Sequence, residues 1–168
     1  VLVAYPGRIA AKNAKEFAAA IQSKPESFNY ASSGSGTVLH LATEIVLGDM
    51  GLKVNHIPYK AAAPMLTDTI GGQVDFCTAA LPAALPHIRN GALRAIGLLT
   101  AQRVALAPEL PTFAEQGFPN AVVESWHSVL GPKGMAPALV KKFHAALVTA
   151  LGDPAVREAL AKQAMVIN

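Results

Sequence analysis

Three short polar segments of the 168-residue sequence carry residue types suited to small-molecule chemistry. The first is Ser32-Ser33-Gly34-Ser35-Gly36-Thr37. Its glycines let backbone approach a ligand closely, and its hydroxyls donate hydrogen bonds. A helix starting at its end adds free N–H groups and the positive end of a dipole, a set that suits an anion. The plain alternative is a Ser/Gly loop with a helix N-cap; six small polar residues in succession favour the ligand site. The second segment is Tyr59-Lys60-Ala61-Ala62-Ala63-Pro64. Here Tyr59 and Lys60 either set a hydroxyl and a charge over a cleft, or stand as a packing tyrosine beside a solvent-facing lysine. Residue types alone leave both readings open. The third segment, Thr78-Ala79-Ala80-Leu81-Pro82, offers the Thr78 hydroxyl and the N–H groups of a helix start.

Catalytic patterns are missing. There is no Gly-x-Ser-x-Gly elbow and no Walker phosphate loop. Gly34-Ser35-Gly36-Thr37-Val38-Leu39 begins like a dinucleotide fingerprint, but Leu39 stands where the third glycine belongs. Pro58-Tyr59-Lys60 follows the next strand, with no acid to hold a ribose. Glu44, Asp68 and Asp75 fall on helix or strand interiors rather than together at one corner. Cys77 is the single cysteine, which excludes an internal disulfide and a thiolate metal site and reads as a small buried hydrophobe. The five histidines, His40, His56, His87, His127 and His144, are scattered, with no pair at i,i+4. They read as ordinary polar or partly buried residues, with no metal and no cofactor expected. Capture of an anion without chemistry, and no enzyme activity, is the economical reading.

The elements that must position these segments alternate. Val1–Ala4, Phe28–Ala31, Val54–Ile57, Val74–Ala79 and Leu93–Leu99 read as strands. Between them, helices are predicted over Asn13–Ser23, Gly36–Met50, Ala63–Ile70 and Pro82–Arg89. Phe17 and Ile21 share one face of the first; Val38, Leu41, Ala42 and Ile45 recur at i, i+3, i+4, i+7 in the second. This rhythm predicts an α/β fold of three layers, with a largely parallel sheet and helices on both faces. In such sheets ligands bind beyond the carboxyl ends of the strands, where all three polar segments fall. After Thr100 the rhythm changes. Residues 101–120, with Pro108, Pro111, Gly117 and Pro119, read as a loop with one short helix around Phe113. Val122–Leu130 then reads as a long strand, Ala136–Leu151 as a helix with Leu139, Phe143 and Leu147 on one face, and Pro154 starts another helix.

Composition narrows the function class. Hydrophobic residues make up 52% and charged residues 15%, enough apolar surface to offset chain entropy, so disorder is excluded. Fourteen basic and 11 acidic residues leave a net charge of +3 with no Lys/Arg cluster beyond Lys141-Lys142, so no nucleic-acid face is expected. No apolar run is long enough to span a membrane, and no charged start followed by an apolar core marks a signal peptide within the chain.

Tyr30-Ala31-Ser32-Ser33-Gly34-Ser35-Gly36-Thr37 with His40-Leu41-Ala42 resembles the signature of Bug-type extracytoplasmic solute receptors, the binding proteins of tripartite tricarboxylate transporters. His56-Ile57-Pro58-Tyr59-Lys60, Gly71-Gly72-Gln73-Val74-Asp75, Leu81 through Ile88, Gly91 through Ala95, Pro111 through Gly117 and Ser125-Trp126 extend the resemblance in order along nearly the whole chain. The resemblance implies a two-lobed periplasmic-binding-protein type II (Venus-flytrap) architecture, of which residues 1–126 are the second, ligand-binding lobe. Residues 127–168 are then a mainly helical segment returning toward a first lobe outside this chain. It implies a periplasmic receptor that captures a small organic carboxylate and delivers it to membrane permease subunits. This lobe's share of the ligand contacts would be Ser33, Gly34, Ser35, Gly36, Thr37, Tyr59 and Lys60, to which the third corner adds Thr78. Two residues depart from the pattern. Ala61 replaces a frequent glycine, and Ala79 replaces a frequent acid, which argues for a plain carboxylate over an amino acid. The same fold also serves as the effector-sensing domain of transcription regulators, which stays the alternative. The apolar face of 136–151 is expected either to fold back on its own lobe or to pair with a second copy as a homodimer.

Overall fold

A computed structural model describes residues 1–165 and 167, which divide into two compact units, 1–124 and 125–168. In the first unit, strands β1 (Leu2–Ala4), β2 (Asn29–Ser32), β3 (Asn55–Pro58), β4 (Phe76–Thr78) and β5 (Arg94–Gly97) form one sheet in the order β3-β2-β4-β1-β5. Helices α1 (Ala14–Ser23), α2 (Val38–Asp49), α3 (Ala62–Ile70) and α4 (Leu81–Arg89) fall between consecutive strands.

Strand residues alternate between two cores, as the two-residue period of a strand requires. Leu2, Ala4, Tyr30 and Phe76 point to one face, where they meet Phe17 and Ile21 of α1 and Ala42, Val46 and Leu47 of α2. Val3, Ala31 and Cys77 point to the other, against Met65 of α3 and Ala84 of α4. Phe17 meets Phe76 edge-on at 5.0 Å and 87°. That is a favoured aromatic geometry. The three expected layers are therefore present. Cys77 is buried, and burial pushes its thiol up to about 11, the behaviour of an inert packing residue.

The sheet departs from an all-parallel one at one strand. β2 runs parallel to β3 and to β4, but β1 lies antiparallel between β4 and β5. The alternating pattern does not reveal this reversal, because a short apolar strand reads the same in either direction. Three other expectations are corrected. Val122–Leu130 forms no strand: Val123 N–H donates to Leu99 O at 2.7 Å, and no strand among the described residues pairs with the run beyond it. The segment around Phe113 forms turns instead of a helix. Its backbone is drawn to the end of β5 through Phe113 N–H to Leu98 O and Leu98 N–H to Pro111 O. On α2, the predicted stripe is buried only at Ala42: Val38, Leu41 and Ile45 are 48%, 51% and 42% exposed. Thr43, Val46 and Leu47 join Ala42 in the packed face. Helix α2 is apolar on two arcs, and periodicity alone does not say which one the sheet takes.

Local chemistry sets the element ends. Asn13 Oδ1 caps α1 by accepting from Glu16 N–H at 2.9 Å, while Glu16 Oε2 accepts from Lys12 N–H at 2.8 Å. This reciprocal cap satisfies two N–H groups at the helix start. At the amino edge of the sheet, Asp75 is buried. Its Oδ2 accepts from Asn29 N–H at 2.7 Å and its Oδ1 from Arg8 Nε at 2.9 Å, tying β2, β4 and the segment after β1 together. Gly72, at φ +71°, lies flat under the Tyr5 ring, where an added Cβ would stand 2.6 Å from Tyr5 Cε1.

In the second unit, α5 (Pro137–Gly152) and α6 (Pro154–Lys162) form a helix pair joined at Asp153. Asp153 Oδ1 caps α6 through Ala155 N–H at 2.8 Å. Asp75→Ala would leave the partly buried Asn29 N–H without its acceptor and Arg8 Nε without its carboxylate. We expect a loss of about 2–3 kcal/mol in chemical denaturation, the cost of an orphaned buried donor plus a charge-assisted bond. A loss under about 0.5 kcal/mol, the level of an ordinary surface substitution, would contradict this account of the amino edge.

Candidate ligand-binding site

Because β3, β2 and β4 are adjacent and parallel, their carboxyl ends share one edge of the sheet. Ser32 pairs in register with Pro58, and Ala31 with Cys77. The three polar segments therefore lie side by side. Tyr59 N–H donates to Ser32 O at 2.9 Å, which joins the second segment to the first. Gly34, at φ +133°, comes so close that an added Cβ would stand 3.4 Å from Tyr59 O.

The Ser33–Thr37 loop is internally braced. Thr37 Oγ1 donates to Gly34 O at 2.7 Å and lies 3.1 Å from Ser33 Oγ. Thr37 N–H also turns back to Gly34 O at 3.2 Å. Thr37 is the N-cap residue of α2 by backbone position, but its side chain makes no capping bond. The N–H groups of Ser33, Ser35, Val38, Leu39 and His40 have no protein acceptor among the described residues. Five open donors at one corner, two on the loop and three on the first turn of a 12-residue helix whose dipole points its positive end there, are a set suited to hydrogen-bond an anion. Ser35 and Gly36 are exposed, whereas Ser33, Gly34 and Thr37 are partly so.

Two more of the expected hydroxyls, beyond those of the loop, are engaged. Tyr59 Oη donates to Asp68 Oδ2 of α3 at 2.7 Å. Burial, with the Asp68 bond second, pushes the Tyr59 phenol up to about 12. Thr78 is buried, and its hydroxyl accepts from Thr43 Oγ1 at 2.8 Å. Tyr59 and Thr78 thus brace α3 and α2 against the sheet, and at these two positions the edge offers backbone. Lys60 is exposed and directly follows Tyr59, whose N–H is bonded to Ser32 O. A depression of about 290 Å³ lined by Asn13, Lys15, Glu115, Gln116 and Gly117 shares no residue with these segments.

Residue types alone missed a cluster directly beneath the loop. Register sets Tyr30 opposite both His56 and Phe76, so three rings form a ladder across β3, β2 and β4, with centroids 4.8 Å and 5.8 Å apart. From α2, His40 stacks on His56 at 4.3 Å. One turn later, Glu44 accepts a hydrogen bond from Tyr30 Oη. The histidines that look scattered in the sequence are, for this pair, in contact. The legible signal was His40 and Glu44 at i,i+4, which share a helix face. Among the described residues, no three His, Cys, Asp or Glu side chains converge as a metal ion would need.

Comparison with known proteins decides the family. The profile of the tripartite tricarboxylate transporter family receptors matches residues 1–167. This chain belongs to that family. Within it, protein BugT of Bordetella pertussis is 37% identical over 142 residues, 84% of this chain and 44% of BugT. An R. palustris protein solved with adipate superposes with a TM-score of 0.87 at 27% identity, over 98% of this chain and 55% of the other. MatC from Rhodopseudomonas palustris with bound malate gives 0.85 at 27%, again over 98% and 55%. The periplasmic binding protein BugD gives 0.84 at 29%, over 97% and 54%. The chain thus spans about half the length of the family receptors it matches, and has the fold of one lobe of a periplasmic-binding-protein architecture.

The ring cluster makes the stability of this receptor lobe pH-dependent. Burial first, and the neighbouring His40 second, hold the His56 imidazole below its ordinary 6.5, while Glu44 pulls the other way. With the folded value below the unfolded one, the unfolded chain binds more protons between the two, and stability rises with pH there. Thermal melts should therefore show Tm falling as pH drops below about 6.5, and His56→Gln should flatten that slope. An unchanged slope in the variant would remove His56 as the cause.

Proposed function

We propose that this chain is the ligand-binding lobe of a periplasmic solute receptor that captures a small dicarboxylate without chemical conversion. The observation that carries this reading is the set of open N–H donors at the Ser33–Thr37 corner, brought by register beside Tyr59 and Lys60. One carboxylate would sit on the N–H groups of Ser33, Ser35 and the first turn of α2. Lys60 would add long-range attraction from the second corner. Relatives solved with adipate and malate support a dicarboxylate. Ala79, buried in the apolar core at the third corner, presents no acid to an amino group, which supports a plain carboxylate over an amino acid. The receptor would hand its ligand to membrane permease subunits. No feature of the chain favours the effector-sensing alternative.

In the same proposal, residues 1–126 are the second lobe and 127–168 the segment returning to the first. Two lobes closing over a ligand exclude water from it and contribute contacts from both sides. Calorimetry of the full-length protein with malate and adipate should show binding, and the 168-residue chain alone should bind at least about tenfold more weakly. Equal, submicromolar affinity for both would show the site to be complete in this lobe. Gly36 stands at φ +78°, a conformation that costs an alanine about 1–2 kcal/mol. Gly36→Ala in the full-length protein should weaken dicarboxylate binding about tenfold while leaving the sheet intact. Unchanged affinity would move the site away from this loop.

The second unit leaves an apolar face to be covered. On α5, Leu139, Val140, Phe143, Leu147 and Val148 are all exposed, Phe143 by 54%. Burying each large side chain is worth roughly 1.5–3 kcal/mol. In the full-length receptor the returning segment's own lobe would cover it; in the isolated chain a second copy would. Sedimentation of the isolated chain should show self-association that Phe143→Asp abolishes. A monomer at every concentration would reject the pairing.

A further inference from the structure

The cluster beneath the loop does more than fill space, because it reaches the loop backbone directly. Gly36 N–H donates to His40 Nδ1 at 3.1 Å. Gly34 N–H donates to Ser32 Oγ at 3.2 Å, and that hydroxyl lies 2.7 Å from His56 Nε2. The two glycine N–H groups of the loop are thus held by two imidazoles, one directly and one through Ser32. The imidazoles are themselves stacked at 4.3 Å. A backbone N–H is an obligatory donor, so the His40 Nδ1 that faces it must carry no proton, which places the ring proton on Nε2. The groups facing the His40 ring are Tyr30 of β2 at 6.3 Å, His56 of β3 at 4.3 Å and, one turn on in α2, Glu44. Glu44 is engaged by the Tyr30 hydroxyl.

We propose that His40 is a positioning residue for ligand capture: its neutral imidazole, clamped on His56, holds the Gly36 N–H and so fixes the loop in the shape that turns its other N–H groups to a carboxylate. The proposal rests on the carboxylate reading above. It explains why Gly34 and Gly36 are both needed at positive φ: their N–H groups turn inward to the cluster while those of Ser33 and Ser35 stay open. It also gives the stacked pair a role that neither ring shows in sequence. His40 touches no ligand in this account; it acts through Gly36.

The test uses two variants of the full-length protein. His40→Phe keeps a ring on His56 and Tyr30 but removes the acceptor. His40→Asn loses the ring but offers Oδ1 near the Nδ1 position. NMR of the Gly36 amide reads the loop, and calorimetry with malate and adipate reads capture. In the wild type, the Gly36 amide should show the downfield shift and slow exchange of a hydrogen-bonded N–H. His40→Phe should abolish that signature, and His40→Asn should keep most of it. His40→Phe should weaken dicarboxylate binding about tenfold, the effect of losing one backbone-anchoring hydrogen bond, and His40→Asn should recover most of it. If His40→Phe leaves affinity and the Gly36 amide unchanged, or if Asn is as damaging as Phe, the proposal is wrong. Should the wild type bind neither dicarboxylate, the carboxylate reading fails, and the Gly36 amide signature in the two variants by itself decides whether His40 holds the loop.

Discussion

Burial of the Tyr30 ring at the centre of the sheet is the constraint on which the rest of the binding edge depends. Tyr30 is fully buried, yet its hydroxyl must keep a hydrogen-bond partner, because an orphaned buried polar group costs roughly 1–3 kcal/mol. Glu44 is that partner. Meeting it fixes the rotation of α2 about its own axis, with Thr43 turned to Thr78 and His40 turned to His56. Burial, with the Glu44 bond second, drives the Tyr30 phenol well above its ordinary range, so it stays a neutral donor at any physiological pH. Once α2 is set in that rotation, its first turn and the loop before it are set as well.

That rotation accounts for a feature of α2 that looks wasteful. Val38, Leu41 and Ile45 face outward although they form a regular apolar stripe. The packed arc runs from Ala42 at the edge of that stripe through Val46 to Leu47, together with the two polar groups that the sheet needs, Thr43 and Glu44. Turning the helix to bury the larger stripe would gain apolar area but leave the Tyr30 hydroxyl without its acceptor and Thr78 without its donor. The satisfied polar contacts and the smaller apolar arc together win.

The binding edge is built from backbone, with side chains serving mainly as supports. Ser32 O, Gly34 O and the glycine N–H groups join the strands and the loop, while Thr37, Tyr59 and Thr78 spend their hydroxyls on bracing. An architecture of this kind suits the proposed capture of a carboxylate, because recognition of an anion by N–H groups needs fixed geometry more than a particular side chain. Asp75, at the amino edge, does the complementary work of holding β2 and β4 in register, which keeps the two corners level.

By itself the sequence determined the five strands, the four intervening helices and the place of the polar corners. Those properties depend on local pattern: apolar runs of strand length, caps such as Asn13, and glycines where the backbone must turn back. The ordered motifs along the chain likewise carried the family. Tertiary structure alone decided the reversed strand β1, because strand direction depends on which neighbour supplies its hydrogen bonds. It decided which arc of α2 is buried, because both arcs are apolar and only the sheet's polar demands separate them. It engaged the Tyr59 and Thr78 hydroxyls as braces, since Asp68 and Thr43 approach them only after the chain is folded. And it brought His40 and His56, 16 residues apart in sequence, into one stack, because the register of β2 against β3 and the rotation of α2 are long-range outcomes with no local signature.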